Sequence, residues 1–242
     1  MKTYLITGAS GGIGSEIART LAEKNNNLIL IYNSSKKEIE SLKKELNIKC
    51  NVAVFKCNLS CEEEVELMVK NAIKKFGKID FLVNCAGVSQ FKQIQDINID
   101  DFNFILNNNL LSNVLVTKHV SKNMIYNKCG KIVNISSIWG VVGASTESLY
   151  SASKGAINTL TLSLAKELGP SGITVNAICP GLIETKMNSN LSKEEINEII
   201  NCTPLNKIGK PKDVANLVKF LLSDKANFIT GQIITIDGGL TL

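Results

Sequence analysis

Seven short runs of apolar, β-prone residues punctuate this chain, and a longer stretch of helical spacing lies between each run and the next. The runs are TYLIT (3–7), LILIY (28–32), VAVFK (52–56), DFLVN (80–84), KIVNIS (131–136), ITVNAI (173–178) and QIITID (232–237). The helical stretches fall near 12–25, 35–46, 61–76, 99–126, 149–168 and 211–223. Most runs are apolar nearly throughout instead of alternating. That pattern suits parallel strands covered on both faces. Parallel neighbours need a crossover, and a helix is the usual one. The expected fold is therefore α/β, a doubly wound parallel sheet of about seven strands with helices on both faces. The 242 residues suffice for one buried core, and no linker, repeat or low-complexity segment interrupts them. A single domain over 1–242 is expected.

Bulk features exclude several functions. The net charge of +5 is mild, and the lysines are mixed with acids in KKEIESLKKEL (36–46) and SKEEINE (192–198), as on solvated helix faces. No basic block points to nucleic acid. The opening MKTYLITGAS runs straight into a predicted strand, so no secretory signal is expected. No apolar run approaches the ~20 residues of a membrane span. A cytoplasmic protein follows. Its seven cysteines include no C-x-x-C, and Cys57 and Cys61 lack matching ligands, so no metal site is expected and the thiols are read as reduced. His119 is the only histidine. It is expected at the surface or an interface, and a Ser-His-Asp triad would have to rest on it alone.

A glycine loop follows the first strand. TGASGGIG (7–14) precedes the amphipathic SEIARTLAEK (15–24). Glycines let a strand turn sharply into a helix whose first amides face a diphosphate. A simple tight turn would use glycine too. The strand–loop–helix context favours a dinucleotide and a Rossmann arrangement. The end of the second strand then bears on NAD against NADP. Eighteen residues after Gly14 stands Tyr32, followed by Asn33, Ser34, Ser35, Lys36 and Lys37, with no carboxylate and no arginine. An acid at this place would bind the ribose hydroxyls and repel a 2′-phosphate. Hydroxyls and ammonium groups favour NADPH.

The chemistry is read from SSIWGVVGASTESLYSASK (136–154). Tyr150 and Lys154 form an i, i+4 pair on a predicted helix. An ammonium beside a phenol favours phenolate, and should lower the tyrosine pKa toward neutrality. That would make tyrosine a proton donor where histidine is scarce. Ser137 ends the fifth predicted strand, at the carboxyl edge where open α/β sheets bind ligands. Its hydroxyl can hold a carbonyl oxygen.

These pieces together resemble the short-chain dehydrogenase/reductase family over essentially the whole chain: TGASGGIG (7–14), NCAG (84–87), NNNL (107–110), ISS (135–137), YSASK (150–154), CPG (179–181) and IDGG (236–239). The resemblance implies a catalytic tetrad of Asn109, Ser137, Tyr150 and Lys154, with Asn109 kinking its helix and holding a water linked to Lys154. It implies cofactor contacts from Gly8, Ser10, Gly11, Gly12, Ile13 and Gly14, from Tyr32, Asn33 and Ser34, and from Asn58 and Leu59. Asn84, Ala86 and Gly87 would line the cofactor, and Pro180, Gly181, Ile183 and Thr185 would wrap the nicotinamide. Cys85 replaces a common asparagine and Asn58 a common aspartate; the second departure bears on adenine hydrogen bonding. A homotetramer built on 99–126, 149–168 and the C-terminal strand region is also implied.

Within the family, TPLNKIGKP and ITGQIITIDGG are most similar to bacterial 3-oxoacyl-acyl-carrier-protein reductases of fatty acid biosynthesis. Their acidic carrier protein docks on basic residues near the pocket mouth. Lys128 matches one such position, and Ser171 stands where another is usual. The stretch IWGVVGASTESLYSASK is similar instead to reductases of a 5-aminopentanone group on elongation factor P. The alternative from another class is a non-catalytic NADP-sensing protein, which an intact Tyr-Lys pair disfavours. The pocket border between Ser137 and Tyr150 is apolar or small apart from Glu147. That carboxylate reads either as a solvated helix N-terminal charge or as a partner for a cationic substrate, with Trp139 as an apolar or cation–π wall.

Overall fold

The computed structural model describes residues 1–189 and 191–242. Seven parallel strands form one sheet in the order β3-β2-β1-β4-β5-β6-β7. They are β1 (Lys2–Ile6), β2 (Asn26–Tyr32), β3 (Asn51–Lys56), β4 (Phe81–Asn84), β5 (Gly130–Ile135), β6 (Ile173–Pro180) and β7 (Ile233–Ile236). The helices are α1 (Gly12–Leu21), α2 (Lys36–Leu46), α3 (Glu62–Phe76), α4 (Ile99–Leu106), α5 (Ser112–Asn127), α6 (Trp139–Val142), α7 (Ser148–Leu168), α8 (Lys193–Cys202) and α9 (Pro211–Leu222).

Successive residues of a strand point to opposite faces, and the register makes each face a continuous apolar layer. Tyr4 pairs with Leu28 and Ile6 with Leu30, and these pack under α1, α2 and α9. Leu5 pairs with Ile29, and these pack under α3, α5 and the end of α7. Both faces are covered, which is why the strands lack alternation.

The strand order reverses between β1 and β4, so the loops after these two strands diverge and leave a crevice at the carboxyl edge. Thr7 closes its floor: its Oγ1 accepts from the N–H groups of Cys85 and Ala86 over 3.0 and 3.1 Å.

The expected helix over 99–126 is broken. Asn107–Leu111 form a π-turn between α4 and α5. Two hydroxyls fix it: Ser112 Oγ donates to Asn108 O over 2.6 Å, and Ser60 Oγ donates to Asn107 O over 3.0 Å. Two helices were not expected, α6 and α8; the latter begins with a Ser192–Glu195 capping box. His119, expected at the surface or an interface, is buried within the chain, with Nε2 3.3 Å from Glu62 on α3. The seven cysteines are free, and among the described residues no cluster could hold a metal and no helix is long and apolar enough to cross a membrane.

Candidate active site

The crevice is a cleft of about 1150 Å³. The glycine loop forms one wall. Gly8 has φ +62, and a Cβ there would lie 2.8 Å from the backbone of Ala86, so only glycine allows the two loops to approach. A Cβ on Gly12 would lie 2.8 Å from Thr185. The first turn of α1 starts at Gly11 with no side-chain cap, leaving its amides open to an anion. This cradle fits a dinucleotide diphosphate. Ser10, Ile13, Gly14, Tyr32, Asn33, Ser34, Asn58, Leu59, Ala86, Gly87 and Thr185 all border the cleft, as expected.

Tyr150 and Lys154 line the cleft, and Asn109 and Ser137 lie beside them. Asn109 is buried in the π-turn, which turns its amide out of the helix toward the sheet. Its Oδ1 accepts from Val88 N over 2.7 Å, and its Nδ2 donates to Val88 O and to Ser153 Oγ, each over 2.9 Å. Ser153 Oγ in turn donates to Tyr150 O over 2.7 Å. A Cβ added to Gly87 would sit 3.1 Å from Asn109 Oδ1 and 3.3 Å from Lys154 Nζ, so these two groups converge on one backbone point. Ser137 lies just past β5, which ends at Ile135 and not at Ser136. Its backbone neighbours still follow β6: Ser136 N donates to Ile178 O (2.8 Å) and Ile138 N to Pro180 O (3.1 Å). Ser137 Oγ accepts from Trp139 N over 3.1 Å, and its hydroxyl is near enough to the Tyr150 phenol to pull that pKa down.

The electrostatics correct one expectation. Lys154 does not pull the Tyr150 pKa toward neutrality. Burial pushes the phenol up to about 12, against a downward pull from Ser137 and with a further upward push from Glu147. The reason is placement. Lys154 Nζ lies 5.7 Å from the centroid of the tyrosine ring and donates to Ile135 O over 2.9 Å. Desolvation lowers Lys154 to about 8. Cys85, between the two loops, is pushed up to about 12 by burial and so stays a thiol.

Glu147 is also not the solvated charge that its helix position suggests. It is 7 % exposed, makes no cap hydrogen bond, and forms no ion pair among the described residues. Burial raises its pKa. Thr146 before it has φ +63, a strained value for a β-branched residue, and its carbonyl accepts from Lys92 N over 2.6 Å.

Other expected residues stand elsewhere. The Asn84 side chain does not face the cleft. Its Nδ2 donates to Asn113, Thr117 and Asn134 beneath α5, and its Oδ1 has no partner. Pro180, Gly181 and Ile183 stand behind the lining, with Ile183 buried against Gly209. Lys128 and Ser171 precede β5 and β6, at the amino edge of the sheet, because every strand of a parallel sheet starts on the same side. Within one chain they do not border the pocket. Sequence reasoning also missed lining residues, above all Ser15 and Arg19 on α1 and Glu38 and Ser41 on α2. The i, i+4 spacing of Gly11, Ser15 and Arg19 was the available signal.

Comparison with known proteins agrees with this geometry. Residues 8–241 match a family profile described as enoyl-(acyl carrier protein) reductase. The chain is 39 % identical over 240 residues to the uncharacterized oxidoreductase YmfI of Bacillus subtilis (strain 168), covering 98 % of each chain. It is 39 % identical over 241 residues to the 3-oxoacyl-[acyl-carrier-protein] reductase FabG of Rickettsia conorii, covering 100 % of this chain and 97 % of that one. A solved short-chain type dehydrogenase/reductase from Mycobacterium ulcerans superposes with a TM-score of 0.94 at 30 % identity, over 99 % of this chain and 89 % of that one.

Proposed function

The chain belongs to the short-chain dehydrogenase/reductase family, an oxidoreductase family that uses nicotinamide cofactors, and we propose that it is an NADPH-dependent ketone reductase acting on a 3-oxoacyl thioester. The observation that carries the reading is the Tyr150 phenol with Ser137 beside it and Lys154 over its ring, Tyr150 and Lys154 both lining the glycine-loop cleft. A nicotinamide cofactor held by the glycine loop would supply the hydride for the carbonyl carbon. The Ser137 hydroxyl donates to the carbonyl oxygen and fixes its position. Tyr150, protonated because burial holds its pKa high, gives its proton to that oxygen as charge develops there. The balance is one hydride and one proton added across C=O, leaving an alcohol, oxidised cofactor and a tyrosinate that takes a proton back. Lys154, held by Ile135 O, stands over the tyrosine ring. Asn109 and Ser153 hold the helix that carries both groups.

The 3-oxoacyl thioester is supported by the relatives named for that reaction at 36–40 % identity. Acyl carrier protein is the corresponding partner. NADPH is supported by the absence of a carboxylate from Tyr32 to Lys37 and by Lys37 in the cleft wall, against Glu38 beside it. A homotetramer is supported by exposed apolar side chains on the paired helices, Phe102, Phe104, Ile125 and Leu162, and by the fully exposed Phe228 and Leu242 near the C-terminus. Seven free thiols suit a reducing cytoplasm.

One observation favours a second substrate. Glu147 is a largely buried residue with no ion pair among the described residues, close enough to the phenol to raise its pKa. Burying an unpaired charge is costly, and a ligand ammonium would supply the missing partner. The 5-aminopentanone group on elongation factor P carries one, and a fatty acyl chain does not. The test is NADPH consumption with acetoacetyl thioester, a neutral diketone and an amino-ketone side by side. Turnover of the thioester supports the first reading. Turnover confined to the amino-ketone replaces it with the second, and cofactor binding with no turnover on any ketone removes both.

A further inference from the structure

The only arginine of the chain borders the cleft beyond the glycine loop, between α1 and α2. Arg19 shares one face of α1 with Gly11 and Ser15. Its guanidinium folds back along that face: Nη1 donates to Ser15 Oγ over 3.3 Å. Nε and Nη2 donate to the Glu45 carboxylate on α2 over 3.0 to 3.2 Å. A guanidinium has five N–H groups in a planar fork. Three are engaged in these bonds, which leaves one free on each terminal nitrogen. The same cleft is also lined by Ser34, Ser35 and Ser41, with Lys37 as a second cation. The opposing charges at this wall are Glu38, Glu45 and Glu16, the last 3.7 Å from Nη1.

We propose that Arg19 is a specificity-determining residue that binds the 2′-phosphate of NADPH, with Glu45 holding its guanidinium in the cleft wall. The proposal rests on the NADPH reading above. A planar fork matches phosphate oxygens in a way that an ammonium does not. Glu45 fixes one edge of that fork, so little side-chain freedom is left to lose on binding. The competing role is indirect: Arg19 would only mask Glu45, and its loss would expose a carboxylate that repels phosphate.

Binding of NADPH, NADH, 2′-AMP and 5′-AMP to the wild type, to Arg19→Ala and to the double variant Arg19→Ala/Glu45→Gln separates these cases. The double variant keeps the net charge of the wall. The expected result is a loss of about tenfold in affinity for NADPH and 2′-AMP in both variants, with NADH and 5′-AMP unchanged. Unchanged NADH binding also reports an intact fold. Wild-type selectivity in the double variant would overturn the proposal in favour of masking, and selectivity retained in Arg19→Ala would overturn it outright. Either result leaves the NADPH reading standing. A wild type that binds NADH as tightly as NADPH would remove that reading, and the proposal with it, before any variant is made.

Discussion

Lys154 lies over the ring of Tyr150: its ammonium is 5.7 Å from the ring centroid and is hydrogen-bonded to Ile135 O. The pair is therefore a buried cation over an aromatic face beside a protonated phenol. Desolvation sets both pKa values, raising the tyrosine to about 12 and lowering the lysine to about 8.

That burial predicts a pH dependence of stability. Lys154 has a folded pKa of about 8 against an ordinary value of 10.5. Between these values the unfolded chain holds a proton that the folded chain has released. Stability from this group thus rises with pH from about 8 upward, and below pH 8 the full cost of the buried charge is present. Lys154→Met removes the titration. Urea midpoints at pH 7, 8 and 9 should show the variant gaining on the wild type at pH 7, with its advantage shrinking as pH rises. A difference constant over that range would mean that Lys154 is not desolvated as described.

Tyr150→Phe should fold and bind NADPH as the wild type does, because the substitution removes only a hydroxyl from a side chain that borders the cleft. Ketone reduction should fall by about 10²- to 10⁴-fold, the range of general acid catalysis. Turnover close to wild type in a stopped assay of NADPH consumption would remove the proposed proton donor.

Tyr32→Asp places a carboxylate where β2 ends in the cleft wall. Repulsion of the 2′-phosphate should reverse a wild-type preference for NADPH in a fluorescence titration. A variant that still prefers NADPH would show that the phosphate lies away from the strand end.

Glu147→Gln keeps the shape of the side chain and removes its charge. If the site takes an amino-ketone, KM for that substrate should rise by about tenfold while a neutral ketone is nearly unaffected. Because Glu147 also raises the Tyr150 pKa, the pH profile of turnover is the second readout, and its upper limb should move to lower pH. Equal effects on both substrates would leave Glu147 with no role in charge recognition.

The exposed apolar faces predict assembly. Light scattering at micromolar concentration should report four times the chain mass of 26.3 kDa. Phe104→Glu, on α4, should shift the protein toward smaller species, since a charge would replace an apolar contact at the interface. A wild-type monomer would require another account of Phe102, Phe104 and Leu162.

The order of the elements, the parallel sheet and the position of the glycine loop were legible in the chain because they follow from local periodicity and from what glycine alone permits. Motif spacing singled out Asn109, Ser137, Tyr150 and Lys154, which the fold brings close together. The tertiary structure decided the rest, through burial and direction, which no spacing encodes. Asn84 belongs to a motif, yet its side chain points under α5 because the pleat alternates. Lys128 looks like a docking residue in sequence, but chain direction puts it on the opposite edge of the sheet from the cleft. Glu147 has the position of a solvated helix-end acid and is buried because the chain packs over it at a strained Thr146. Arg19 lies thirteen residues before Tyr32 in sequence. It joins the wall of the same cleft only because α2 returns alongside α1 and presents Glu45 to its guanidinium. Sequence determined which groups are available; packing determined which of them lose water and face one another, and so which of them can do chemistry.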